Sequence, residues 1–155
     1  MSWEIMQNID SIETTLGYQF KNRSLLDQAL TTKAYSNEHE CKDQSEFQTI
    51  GDAVLKLVLT EKMMLNGNST RGAITTQRIE AEKKEGLALV AKKLGIMHHI
   101  KLGNGQMIQN HVESDHLLAE TLEAIAGAIY LDRGFDNTKK QMAMWFDNQV
   151  STTTL

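Results

Sequence analysis

Residues Gln44 to Leu59 read QSEFQTIGDAVLKLVL. Within them Phe47, Ile50, Val54, Leu57 and Val58 recur at three- and four-residue steps, the spacing of one face of an α-helix. Leu55 and Leu59 make the other side apolar too, which predicts a helix buried over most of its circumference. Asp52 stands in the middle of it. A carboxylate among so many apolar neighbours must meet a cation, a metal or hydrogen-bond donors, because burying its charge alone is costly. Two readings stay open: Asp52 belongs to a site, or it is salt-bridged along a surface strip of an ordinary helix.

Working outward, Trp3, Ile5, Met6, Ile9, Ile12 and Leu16 repeat with helical spacing, and Gly17 closes that run. Tyr18 and Phe20 anchor the following turn, and Asn22 or Ser24 can cap a short helix holding Leu25, Leu26, Ala29 and Leu30. The polar stretch from Thr31 to Ser45 reads as a loop or weak helix. The central helix should stop near Leu65 at Asn66-Gly67-Asn68, and Ser69 or Thr70 should cap the next. Ile74 and Ile79, then Leu87, Leu89, Val90 and Leu94, predict two helices that break between Lys83 and Gly86, the second stopped by Gly95. A short apolar piece and the turn LGNG follow. Glu113 to Ser114-Asp115 can cap a long helix to about Asp132, closed by Arg133-Gly134. Its Ala119, Ala124, Ala126, Gly127 and Ala128 let a neighbouring helix come close. Asp136 or Asn137 should cap a last amphipathic helix with Met142, Met144, Trp145 and Phe146, and the tail STTTL should fray.

The 155 residues include ten glycines, one cysteine and no proline. Lack of proline and the helical periodicities predict an all-α fold, a single domain over 1–155 with its core at about 4–150. The lone Cys41 excludes an internal disulfide and fits a reducing compartment. No signal peptide is visible and no apolar run is long enough to span a bilayer, so the expectation is a soluble, cytoplasmic protein with no membrane partner. The formal net charge of -4 excludes wholesale polyanion binding and leaves nucleic-acid contact to local basic patches or metal ions.

Glu120 and Glu123, in LLAETLEAIAGAIYLD, lie three residues apart and share one helix face. Such a pair is commonly a solvated face, but the neighbours here are apolar or small. If this helix packs on the central one, Asp52, Glu120 and Glu123 converge with Gln48, one turn before Asp52. Carboxylates with an amide oxygen form a hard-oxygen set suited to Mg²⁺ or Mn²⁺, which activates water and neutralises phosphate in phosphodiester hydrolysis. Arg71, Arg78, Lys83, Lys84, Lys92 and Lys93 make the best basic strip, with an ordinary solvated face as the alternative. Gly67 to Gly72 has the glycine spacing of a phosphate loop, but Ala73 replaces its lysine and a helix precedes it. His39 and Cys41 lack a second ligand pair with zinc spacing. His98, His99, His111 and His116 read as surface or turn residues.

Segments LGYQFKNRSLLDQALTTKAYSNE, IGDAVLKLVL, RGAITTQRIEAEKKEGLALVAKKLGI and LLAETLEAIAGAIYLDRGF stand in this order. Together they resemble the catalytic domain of the ribonuclease III family, over Ile12 to Val150. The resemblance implies an all-helical, Mg²⁺-dependent endoribonuclease for double-stranded or structured RNA, with Mn²⁺ as a substitute, acting as a homodimer. Carried over by position, the metal ligands are Gln48, Asp52, Glu120 and Glu123, with Asp52 and Glu123 catalytic. Gln48 stands where the family has glutamate, Glu120 where it has aspartate, and Ser45 where a further glutamate usually lies. Thr49 takes the place of the family's dimer-locking phenylalanine, with Phe47 two residues earlier, so these two are the expected dimer contacts. Arg71, Arg78, Lys83 and Lys84 are the expected RNA contacts. The sequence stops where the family usually adds a double-stranded-RNA-binding domain. The alternative is a weak or inactive relative that binds structured RNA or a protein partner without cutting, favoured by Gln48.

Overall fold

The computed structural model describes residues 1–67, 70–108 and 114–150. Among these the chain is helical: α1 (Trp3–Leu16), α2 (Arg23–Ala29), α3 (Lys33–His39), α4 (Ser45–Leu65), α5 (Arg71–Glu82), α6 (Lys84–Lys93), α7 (Asn104–Ile108), α8 (Asp115–Arg133) and α9 (Phe135–Val150). One turn of 3₁₀-helix, Ile96–His99, precedes α7, and an isolated parallel bridge joins Thr31 to Lys101. No described helix is long and apolar enough to cross a membrane.

The ends form where local chemistry dictates. Gly17 takes φ 72° and returns its N–H to Glu13 to end α1. The side chains of Asn22, Thr70 and Ser114 accept backbone N–H bonds at the starts of α2, α5 and α8. The break near Lys83 is real: its extended backbone ends α5 and starts α6. The polar stretch after Thr31 holds a genuine short helix, α3, because the Thr32 hydroxyl caps it by accepting from the Tyr35 N–H. α9 begins at Phe135, so Asp136 and Asn137 lie inside its first turn instead of capping it; Thr138 N–H and Oγ1 both bond the Gly134 carbonyl there. Ser69, His111, Glu113 and the tail 151–155 lie outside the described residues.

The helix at the centre of the molecule is α8, not α4. Leu118, Leu122, Ile125 and Ile129 are fully buried, and α8 packs against α2, α4, α6 and α9. Its alanines and Gly127 leave room for neighbours on several sides. α4 buries Phe47, Val54, Leu55, Val58 and Leu59 but leaves Leu57, Met64 and Leu65 more than half exposed. The expectation of an α4 buried on most of its circumference therefore fails: no described helix covers its Ala53–Leu57–Met64 side, which stays open beside α5.

Candidate metal centre

The pairing of α4 with α8 is the most extensive helix contact among the described residues. Two glycines set it. A Cβ on Gly51 would collide with the carbonyl oxygen of Glu123, and one on Gly127 with the carbonyl oxygen of Phe47. The two backbones thus touch directly, and the residue after Gly51 is Asp52. Glycine at the crossing brings Asp52 alongside Glu123.

On α8 the residues between and beside the glutamates (Ala119, Thr121, Leu122, Ala124) are buried, so Glu120 and Glu123 stand at the edge of the helix facing the α4 seam. Burial pushes the Glu123 carboxyl up to about 7, and the carboxylates of Asp52 and then Glu120 push in the same direction. Lys56 opposes this, and Glu82 adds a smaller upward push. Glu120 Oε1 meets His116 Nε2 at 3.0 Å, one turn back on α8. Asp52 Oδ2 accepts from Lys56 Nζ at 3.2 Å, each side chain about half exposed (50%). The salt-bridged reading of Asp52 is thus realised, at the same place where its charge bears on Glu123.

Gln48 is half-buried one turn before Asp52. Asp52 and Glu120 bearing on a third carboxylate, Glu123, that is held far above its usual range make a donor set that fits a divalent cation, because a cation among them relieves the repulsion. The side chains are not already gathered around a point: among the described residues no three His, Cys, Asp or Glu are close enough to hold an ion as they stand.

Lys56 and Glu82 did not figure in the sequence reading. Lys56 was legible in principle, four residues after Asp52, the spacing of an ion pair on one helix face. Glu82, the last residue of α5, was not, since only the tertiary fold brings its charge to bear on Glu123. Its Oε1 accepts from Arg78 at 2.6 Å, while Oε2 is sealed from solvent and accepts no hydrogen bond.

The expected basic strip is largely matched by acids of its own helices. Arg78 pairs with Glu82, Lys83 with Glu80, and Lys84 lies 3.9 Å from Glu85. Arg71 is exposed at the first turn of α5. Of the two residues expected at a dimer contact, Thr49 is exposed and Phe47 is only 5% exposed, part of the hydrophobic core. His99 is not a free surface residue: its Nδ1 lies 2.6 Å from Asn8 Oδ1.

Residues 22–149 match the family model described as Ribonuclease-III-like. The chain is 31% identical to ribonuclease 3 of Pseudomonas aeruginosa over 148 residues, which cover 95% of this chain and 63% of that protein. It is 35% identical to ribonuclease 3 of Bdellovibrio bacteriovorus over 135 residues, 85% of this chain and 58% of that one. The chain thus spans less than two thirds of these relatives. Among solved structures, the nuclease domain of ribonuclease III from Campylobacter jejuni superposes with a TM-score of 0.85 at 28% identity, covering 90% of this chain and 96% of that one. With the model matching most of its length and the helices superposing, this chain belongs to the ribonuclease-III-like family.

Proposed function

We propose that the chain is a Mg²⁺-dependent endoribonuclease that hydrolyses phosphodiester bonds in double-stranded or structured RNA, working as a homodimer. One observation carries the reading: the carboxylates of Asp52 and Glu120 both bear on Glu123, beside a seam that two glycines hold shut. In this reading Asp52, Glu120, Glu123 and the Gln48 amide hold the metal. When bound, the metal polarises a scissile phosphate and lowers the pKa of a water. The chain's own residues set its charge and position: Asp52 and Glu123 are fixed by the α4/α8 contact, and Glu120 follows one turn before Glu123.

Support for the homodimer comes from the uncovered side of α4. Ala53, Leu57 and Met64 line an open groove with Ile74 and Arg78 of α5. A solved relative from Campylobacter jejuni is described for flexibility in a region involved in dimer formation. Arg71 and the ends of α5 and α6 are the basic groups nearest to hand for phosphates, once Arg78, Lys83 and Lys84 exchange their carboxylate partners.

A second reading, binding of structured RNA or a protein without cleavage, is favoured by Gln48 and by the Lys56–Asp52 pair, which together make the centre less negative than four carboxylates would. Incubating the purified chain with long double-stranded RNA and Mg²⁺ or Mn²⁺, beside an Asp52→Asn control, separates the two. Discrete products lost in the control support the nuclease. Retained RNA with no product in either metal sinks it and leaves the binding reading.

A further inference from the structure

Lys56 is one turn of α4 beyond Asp52 and points its ammonium at the same carboxylate oxygen that a cation would seek, 3.2 Å from Oδ2. The order along the helix, acid first and base four residues later, is the favourable one for such a pair. Its reach is not confined to Asp52, since its charge also acts on Glu123 across the α4/α8 seam. Both members of the pair are about half exposed (50%), so the ammonium can swing into water without opening the core.

We propose that Lys56 is the resident counter-cation of the acidic centre and competes with a divalent metal for Asp52, thereby setting how much metal the site requires. The proposal rests on the metal-centre reading above. An ammonium and a divalent ion repel at contact distance, so Lys56 paired with Asp52 opposes a metal on the same carboxylate. Metal entry therefore works against the Lys56–Asp52 pair. A pair that only stabilised α4 would have no such effect: its removal would lower helix stability and leave metal affinity unchanged.

The test is Mn²⁺ binding to the full chain, followed by the electron-spin resonance of free Mn²⁺, for the wild type, Lys56→Met, Lys56→Gln, Lys56→Arg and Asp52→Asn. The expected result is about tenfold tighter binding in Lys56→Met and Lys56→Gln, wild-type affinity in Lys56→Arg, and weakened binding in Asp52→Asn. Two uncharged variants guard against one of them failing to fold, which circular dichroism reports. If both bind Mn²⁺ no more tightly than the wild type while Asp52→Asn still weakens it, the role of Lys56 is overturned and the metal centre stands. If neither the wild type nor the folded Lys56 variants bind Mn²⁺, the metal-centre reading falls and this proposal with it.

Discussion

At the scale of the residue, Glu123 and Gln48 bear on the proposed metal centre in opposite directions. The Glu123 carboxyl is raised from its ordinary 4.5 to about 7, first by burial and then by Asp52 and Glu120. Its sign in the stability curve follows directly. Between those values the folded chain binds a proton that the unfolded chain has released, so stability falls with rising pH. The contribution is fully present below 4.5 and lost as pH climbs through about 7. Thermal melts in chelator across that window should show wild type losing ground relative to Glu123→Gln, and a constant difference between the two would count against the acidic cluster. Added Mg²⁺ at pH 8 should raise the wild-type melting temperature more than that of the variant, since a ligand stabilises only the state that binds it. Gln48 keeps an oxygen donor but no charge. Gln48→Glu should therefore lower the Mg²⁺ concentration for half-maximal RNA cleavage several-fold, measured by product yield across a Mg²⁺ series; no shift would remove Gln48 from the ligand set.

At the scale of the element, the decisive contact is the crossing of α4 and α8 through Gly51 and Gly127. Because a side chain at either glycine meets backbone and not a flexible tip, the helices must separate to admit it. Gly51→Ala or Gly127→Ala should cost about 3 kcal/mol in urea unfolding, at the upper end of core overpacking. Where the variant still folds, its Mn²⁺ affinity should fall too, as Asp52 moves from Glu123. Gly72→Ala is the contrast: open space surrounds Gly72 in the first turn of α5, so the change should stabilise by ~0.5 kcal/mol. Equal effects at Gly51 and Gly72 would contradict the crossing as the element that shapes the site. Much of this level was readable before any fold was known. Helix ends announced by Gly17, Asn22, Thr70 and Ser114 fell where expected, because capping is decided within four residues. Asp52, Glu120 and Glu123 stood out too as carboxylates in apolar helices, although only the fold brings Asp52 to bear on Glu123. Helix α3 was not readable beyond a loop or weak helix, since seven residues have little periodicity to show. Nor was the open side of α4: Leu57 and Leu55 look alike in sequence, and only the placement of α8 decides which is covered. Glu82 was hidden for the same reason.

At the scale of the whole molecule, the proposed function asks an acidic chain to hold a polyanion. Its net charge is -4, and Arg78, Lys83 and Lys84 already have acidic neighbours. In the proposed reading, two chains would present their exposed cations, Arg71 and Lys93 among them, twice along one duplex. The uncovered apolar side of α4 supplies a reason to associate: Leu57 is 56% and Met64 57% exposed, adjacent to the α5 groove. Apolar residues that line one groove together mark contact surfaces more often than isolated ones do. Light scattering at micromolar concentration should therefore give twice the 17.4 kDa chain mass. Leu57→Asp should return the chain to a monomer with an unchanged helical spectrum, because the side chain contributes little to this chain's own core. The same variant should lose cleavage of long duplex RNA while keeping its Mn²⁺ affinity, since Asp52, Glu120 and Glu123 all come from one chain. A wild-type monomer at that concentration, or a Leu57→Asp monomer with undiminished cleavage, would show that a single chain suffices.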